Sequence, residues 1–282
     1  MAFATAAITI GSLSVGVASA KPVASSSVHK LVLHGTGGLR PAIHLPGKGP
    51  KSGPGGIPVE DSGNWSGYVA LPKTGKASTF RFVQADFNVP SVNCAVTPTA
   101  FNYQWVGFDG WTNGTVEQDG IGGYCVSGSP TYFAWYEMYP AGVQVEFDVN
   151  PGDQIGMTAY YNSSAKLYTL SLTDYTQPTL TFTTNQKCAS TCNRSSAEVI
   201  TEGYPSGSYG GVSDFSSVHF DTIWVTDNAG HRGELTDANW NTDEIVAVGA
   251  SGTDTSPGPL YAASVPSSPA LSAYADTWYR EN

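Results

Sequence analysis

The chain has 282 residues, a formal net charge of −10 and a sequence pI of about 4.8. Charged residues make up only 13 %, against 32 Gly and 15 Tyr; such a profile speaks for strands and loops and against a helical bundle. The length suits one all-β domain or two ordinary ones, and after the first twenty residues no apolar run is long enough to span a bilayer, so no membrane partner is expected.

Residues 1–20, MAFATAAITIGSLSVGVASA, are apolar or small and end in Ala18-Ser19-Ala20. An h-region before a small-x-small site reads as a signal peptide, so the protein is expected to be secreted, although the usual basic n-region is missing. Residues 21–60 are rich in Gly, Pro and Ser. Up to residue 59 they hold five basic residues (Lys21, Lys30, Arg40, Lys48, Lys51), three histidines (His29, His34, His44) and no acid. From Glu60 onward eight Lys/Arg stand against all 23 Asp/Glu, leaving −15. Such a basic arm can be a nucleic-acid tail, a plain linker or a propeptide. The propeptide reading is preferred, with the arm held to the acidic domain by charge at neutral pH as an intramolecular inhibitor, and without a nucleic-acid partner. So few basic residues leave little self-repulsion once carboxylates are protonated, which suits the remaining domain, 61–282, to acid.

Within that domain the apolar period is two. Thr79 to Val89 alternates, with a slip near Val83-Gln84 that reads as a bulge. Val143, Val145, Phe147 and Val149 alternate strictly with polar residues before the Pro151-Gly152-Asp153 turn. Ile155, Met157 and Ala159 continue the pattern, then Tyr168, Leu170 and Leu172, then Leu180 and Phe182. Strands are also read at Val218 to Val225, closed by Asp227-Asn228-Ala229-Gly230, and at Glu244 to Val248. Many strands with frequent turns and no amphipathic helix predict an antiparallel β-sandwich. Four cysteines in an exported chain predict two disulfides with three possible connectivities. Cys188 and Cys192 are spaced to close a local loop, which would leave Cys94 with Cys125. A zinc site is the rival reading, but no His lies near these cysteines in sequence.

Gln104 to Pro140 sets aromatic residues around Asp109, Glu117, Gln118, Asp119 and Glu137, the usual lining of a cleft for an extended polymer. Neither G-x-S-x-G nor H-E-x-x-H occurs. His219 and His231 read as surface or turn residues, and Asp61-Ser62-Gly63 supplies only half of a paired-aspartate site. Aromatics beside carboxylates also suit sugars, so a glycosidase or lectin-like sandwich is the alternative; its candidate pair is Glu146 and Asp148.

Three separated segments carry a resemblance: Asn64-Trp65-Ser66-Gly67; W-V-G-F-D-G from Trp105 with E-Q-D-G from Glu117 and A-W-Y-E-M-Y-P from Ala134; and Ala197-Glu198-Val199-Ile200-Thr201-Glu202. In this order they resemble the glutamic peptidases (eqolisins), from about Asn64 to the C-terminus. The resemblance implies a concanavalin A-like (lectin-type) sandwich with a concave substrate face, acting as a monomer on polypeptides without metal or cofactor. It makes Gln118 and Glu202 the catalytic pair. Glu202 would take a proton from water and later pass it to the leaving amine, while Gln118 would donate to the oxyanion. Asp109, Glu137 and Glu198 are expected beside the pair, Glu198 on its strand face, with Trp65, Trp105 and Tyr139 as groove walls. The chain departs from the family pattern in lacking a cysteine before Gln118 and in placing Gly122-Gly123 where an acid is expected.

Overall fold

The computed structural model describes residues 39–45, 51–73, 79–204, 211–249, 252–261 and 272–280. The expected signal peptide, and with it Lys21, His29, Lys30, His34 and Lys48 of the basic arm, lies outside the described residues.

Among the described residues, seventeen strands and one short 3-10 turn, Pro54–Gly56, account for the regular structure. The first strands are β1 (Lys51–Ser52), β2 (Pro58–Ser62), β3 (Trp65–Pro72), β4 (Phe80–Asn88), β5 (Phe101–Phe108) and β6 (Val116–Val126). There follow β7 (Ser129–Tyr139), β8 (Gln144–Asp148), β9 (Gln154–Asn162), β10 (Leu167–Asp174), β11 (Thr181–Gln186) and β12 (Ala197–Glu202). The last are β13 (Ser217–Asp227), β14 (Arg232–Gly233), β15 (Trp240–Gly249), β16 (Gly252–Pro257) and β17 (Tyr274–Trp278).

Pairing lays out two layers. One runs β8-β7-β6-β5-β12-β3-β15, the other β11-β10-β9-β4-β13-β17, and β16 pairs with both β15 and β17 to join them. The expected sandwich is present, antiparallel except that β2 lies parallel to β15. Strict alternation on β10 buries Tyr168, Leu170 and Leu172 toward the first layer, and β4 sends Val83, Ala85 and Phe87 the same way. The larger aliphatic and Phe side chains among them each contribute roughly 1.5–3 kcal/mol by leaving water.

The slip in β4 falls two residues before the expected place. Thr226 pairs with Phe82 but Asp227 with Phe80, so Arg81 is the extra residue; a second shift lies in β13 between Asp221 and Trp224. Both disulfides form as spaced, Cys94 with Cys125 and Cys188 with Cys192. His219 and His231 are exposed as read, His231 pairing with Asp237 at 2.9 Å.

Strands β5, β6 and β12 are buried on both faces. Their inner face meets the main core, and their outer face carries a second cluster that includes Trp65, Trp105, Trp135, Tyr103 and Ile200. That second, aromatic face is where the three resembling segments meet.

Candidate active site

Alternation along β12 sends Ala197 and Val199 into the main core and leaves Glu198, Ile200 and Glu202 on the aromatic face. The register across β12, β5, β6 and β7 then builds three rows. Glu198, Gly107, Gln118 and Glu137 form the first; Ile200, Trp105, Gly120 and Trp135 the second; Glu202, Tyr103, Gly122 and Phe133 the third. Two motif glycines allow this packing. A Cβ on Gly120 would run into the Gln104 carbonyl and Trp105, and one on Gly67, at φ 141°, into the Val199 carbonyl of β12. Gly122, where an acid was expected, has the Phe133 ring against it, and an added Cβ would strike that ring.

Glu202 is 2 % exposed and is surrounded by N–H groups. Its Oε2 accepts from the Trp105 indole at 3.1 Å; its Oε1 accepts from Asn64 Nδ2 at 3.2 Å and from the Arg40 main-chain N–H at 3.1 Å. Burial pushes the carboxyl up to about 8, and these donors pull the other way. In the covered cleft the proton is therefore held to higher pH than on a solvent-exposed carboxyl.

Gln118 is fully buried and donates from Nε2 to Glu137 Oε2 at 2.8 Å. Burial, and then the nearby Glu202 charge, hold the Glu137 carboxyl well above the usual range, while the Gln118 bond opposes this. Glu137 thus connects the two predicted partners, hydrogen-bonded to one and electrostatically coupled to the other.

Trp65 and Trp105 meet edge to face at 4.8 Å between ring centroids, and Trp65 stacks on Trp111 at 6.5 Å. Both rings lie in the aromatic cluster beside Glu202, and Trp105 is also a donor to it. Tyr139 is half-buried at the edge of the aromatic cluster. Among the described residues no hydrogen bond joins Asp109 or Glu198 to Gln118 or Glu202, although Glu198 shares the first row with Gln118 across Gly107. Asp109 accepts from the N–H groups of Asn193, Arg194 and Ser195, the Ser195 hydroxyl and Asn113 Nδ2, at 2.7–3.0 Å. Glu198 is fully buried at the same end of β12, raised by burial and by the charges of Asp109 and Glu117. Asp109 therefore pins the turn that delivers β12.

Asn64 was visible in the sequence only as part of a landmark. It donates toward the Arg40 and Pro41 carbonyls at 3.4 Å each and accepts from Ile43 N–H at 2.8 Å. These contacts belong to residues 39–45, which lie along the cleft. Leu39 is 2 % exposed in the aromatic cluster, and the Arg40 carbonyl also accepts from the Trp65 indole at 3.1 Å. Ala42 N–H donates to the Gly110 carbonyl at 3.1 Å, His44 lies against Trp111 at 4.1 Å, and His44 bridges to Ser62 in antiparallel sense. Among the described residues no ion pair joins Arg40 or His44 to the domain; main-chain bonds, the contact of His44 Nε2 with the Trp111 carbonyl at 2.6 Å and Leu39 burial hold residues 39–45.

A family profile described as "Peptidase A4 family" matches residues 63–257. The chain is 35 % identical over 147 residues to scytalidopepsin B of Scytalidium lignicola, a match spanning 50 % of this chain and about half of that relative (52 %). Its fold is similar to that of scytalido-glutamic peptidase solved with a peptide-based transition-state analogue, with TM-score 0.61 and 24 % identity over 77 % of this chain and 98 % of that one. It is also similar to aspergilloglutamic peptidase from Aspergillus niger, with TM-score 0.52 and 22 % identity over 64 % and 99 % of the two chains.

Proposed function

The chain belongs to the peptidase A4 family, and from that membership we propose that it is a secreted endopeptidase cutting polypeptides in acid with Glu202 and Gln118. The observation that carries the reading is the peptide segment lying in the cleft with a main-chain N–H on the Glu202 carboxyl. In the working enzyme Glu202 takes a proton from the attacking water, which requires the carboxylate. The value of about 8 belongs to the covered cleft. When the segment leaves, water reaches the carboxyl and the burial that raises it is relieved, while Asn64 and Trp105 remain to favour the charged form. One N–H of the Gln118 amide is taken by Glu137, which leaves the other for the oxyanion, a contribution of roughly 3–4 kcal/mol. Glu202 then returns its proton to the leaving amine.

Residues 39–45 act in this reading as an intramolecular inhibitor, since they fill the space a substrate needs. Gln118→Glu and Glu202→Gln should each lower casein hydrolysis at acid pH by about a hundredfold or more with an unchanged circular dichroism spectrum. A folded variant of either kind that kept more than about a tenth of the activity would remove that residue from the pair.

A further inference from the structure

We propose that the Leu39–Arg40 peptide bond is the first bond this protein cuts, its own chain being the substrate. The proposal rests on the Glu202/Gln118 reading above. The Arg40 nitrogen is the leaving nitrogen of that bond and lies 3.1 Å from Glu202 Oε1. Among the described residues it is the one main-chain N–H that this carboxyl accepts, so the bond already sits at the group that returns the proton.

Both flanks are held as a bound peptide is held. On the amino side, Leu39 is buried among the cleft aromatics. On the carboxyl side, Asn64 and Trp65 take the Arg40 carbonyl, Asn64 takes the Pro41 carbonyl and the Ile43 N–H, and Gly110 takes the Ala42 N–H. Recognition by added main-chain bonds with one side chain in a pocket is how extended peptides are commonly bound. Pro41 has no N–H to place and needs none, because the paired donors belong to Arg40, Ala42 and Ile43. The Arg40 side chain points to solvent, so selectivity at this bond resides in Leu39. The site accordingly takes an aliphatic residue before the cut and tolerates proline at the second position after it.

The chemistry balances with water as the only co-reactant. Entry of the attacking water beside Leu39 relieves the burial of Glu202, which then takes one proton as the water oxygen bonds to the Leu39 carbonyl carbon, and the free Gln118 N–H meets the oxyanion. The carbon–nitrogen bond breaks as Glu202 passes the proton to the Arg40 nitrogen, leaving a carboxyl at Leu39 and an amine at Arg40.

The full-length protein is acidified and followed by intact mass and N-terminal sequencing, with casein hydrolysis measured in parallel. A chain beginning at Arg40 should appear before casein hydrolysis reaches its full rate, and Glu202→Gln should yield none. Leu39→Asp should slow its appearance at least about tenfold, because a carboxylate would enter an apolar pocket. The acid-activated protein should also cut a synthetic peptide matching residues 35–45 at the same bond, which tests the preference without altering the chain. Full casein hydrolysis by a chain that is uncut, or whose first new end lies elsewhere, overturns the proposal and leaves the peptidase reading standing. No casein hydrolysis by any form overturns the peptidase reading, and this proposal with it.

Discussion

Trp105 enters the cleft both as a ring against Trp65 and as an N–H donor to Glu202. The two roles separate in Trp105→Phe, which keeps an aromatic ring and removes the donor. A lost hydrogen bond to a charged group costs roughly 1.5–3 kcal/mol, and here it would destabilise the carboxylate relative to the acid. The folded value of Glu202 should therefore rise further, and the acid limb of kcat/KM should move about one unit to higher pH. Activity measured below that limb should fall about tenfold. A profile of unchanged shape would show that the indole serves packing alone. Asn64 likewise joins two tasks in one amide, contacting both Glu202 and the main chain of the bound segment.

At the level of elements, the position of β12 depends on a side chain remote from the pair. Asp109 sits at φ 68° just after β5 and gathers three successive N–H groups of residues 193–195. Beta strand 12 begins two residues later, at Ala197, and carries Glu198, Ile200 and Glu202 to the cleft. Asp109→Ala would leave five donors without their acceptor, at about 3 kcal/mol or more of stability. The expected result is a lower denaturant midpoint together with lost activity, although Asp109 touches neither Gln118 nor Glu202. A variant with wild-type stability and no activity would instead give Asp109 a direct part in the chemistry.

Across the described residues, eight buried or half-buried carboxyls are displaced in one direction. Burial raises Glu117, Asp119, Glu137 and Glu198 well above their ordinary values, Glu202 to about 8, Asp276 to about 7, and Asp86 and Asp254 to about 6. A group raised in the folded state binds its proton more tightly there than in the unfolded chain. Its stability is fully present below the unfolded value of about 4 and is lost as pH rises through the folded value. Thermal melts should therefore be highest on the acid side and fall steadily between about pH 5 and 8. A melting temperature that rises over that window would contradict the protonated interior. The covering segment gives a second expectation. Because main-chain bonds and Leu39 burial hold residues 39–45, added salt, which screens exposed ion pairs, should change the lag before full activity only slightly. A lag abolished by salt would return the hold to the charge of the arm.

Alternation at Val83, Ala85 and Phe87, or at Tyr168, Leu170 and Leu172, determined from the sequence alone that these strands have one buried face. The rule acts between neighbours on one strand, so a single sequence carries it in full. The spacing of Cys188 and Cys192 and the three separated segments were equally local and equally legible. The sequence did not determine what stood beside Glu202, because register between strands far apart in the chain depends on how whole faces pack. Only the tertiary structure set Gln118 against Glu137, put the Asp109 carboxyl on the turn before β12, and set Asn64 on the main chain of residues 40–43. It also decided how the basic arm engages at residues 39–45. Composition showed its charge, but the contacts formed there include main-chain hydrogen bonds, a buried leucine and the His44 ring on Trp111, which charge counting does not register.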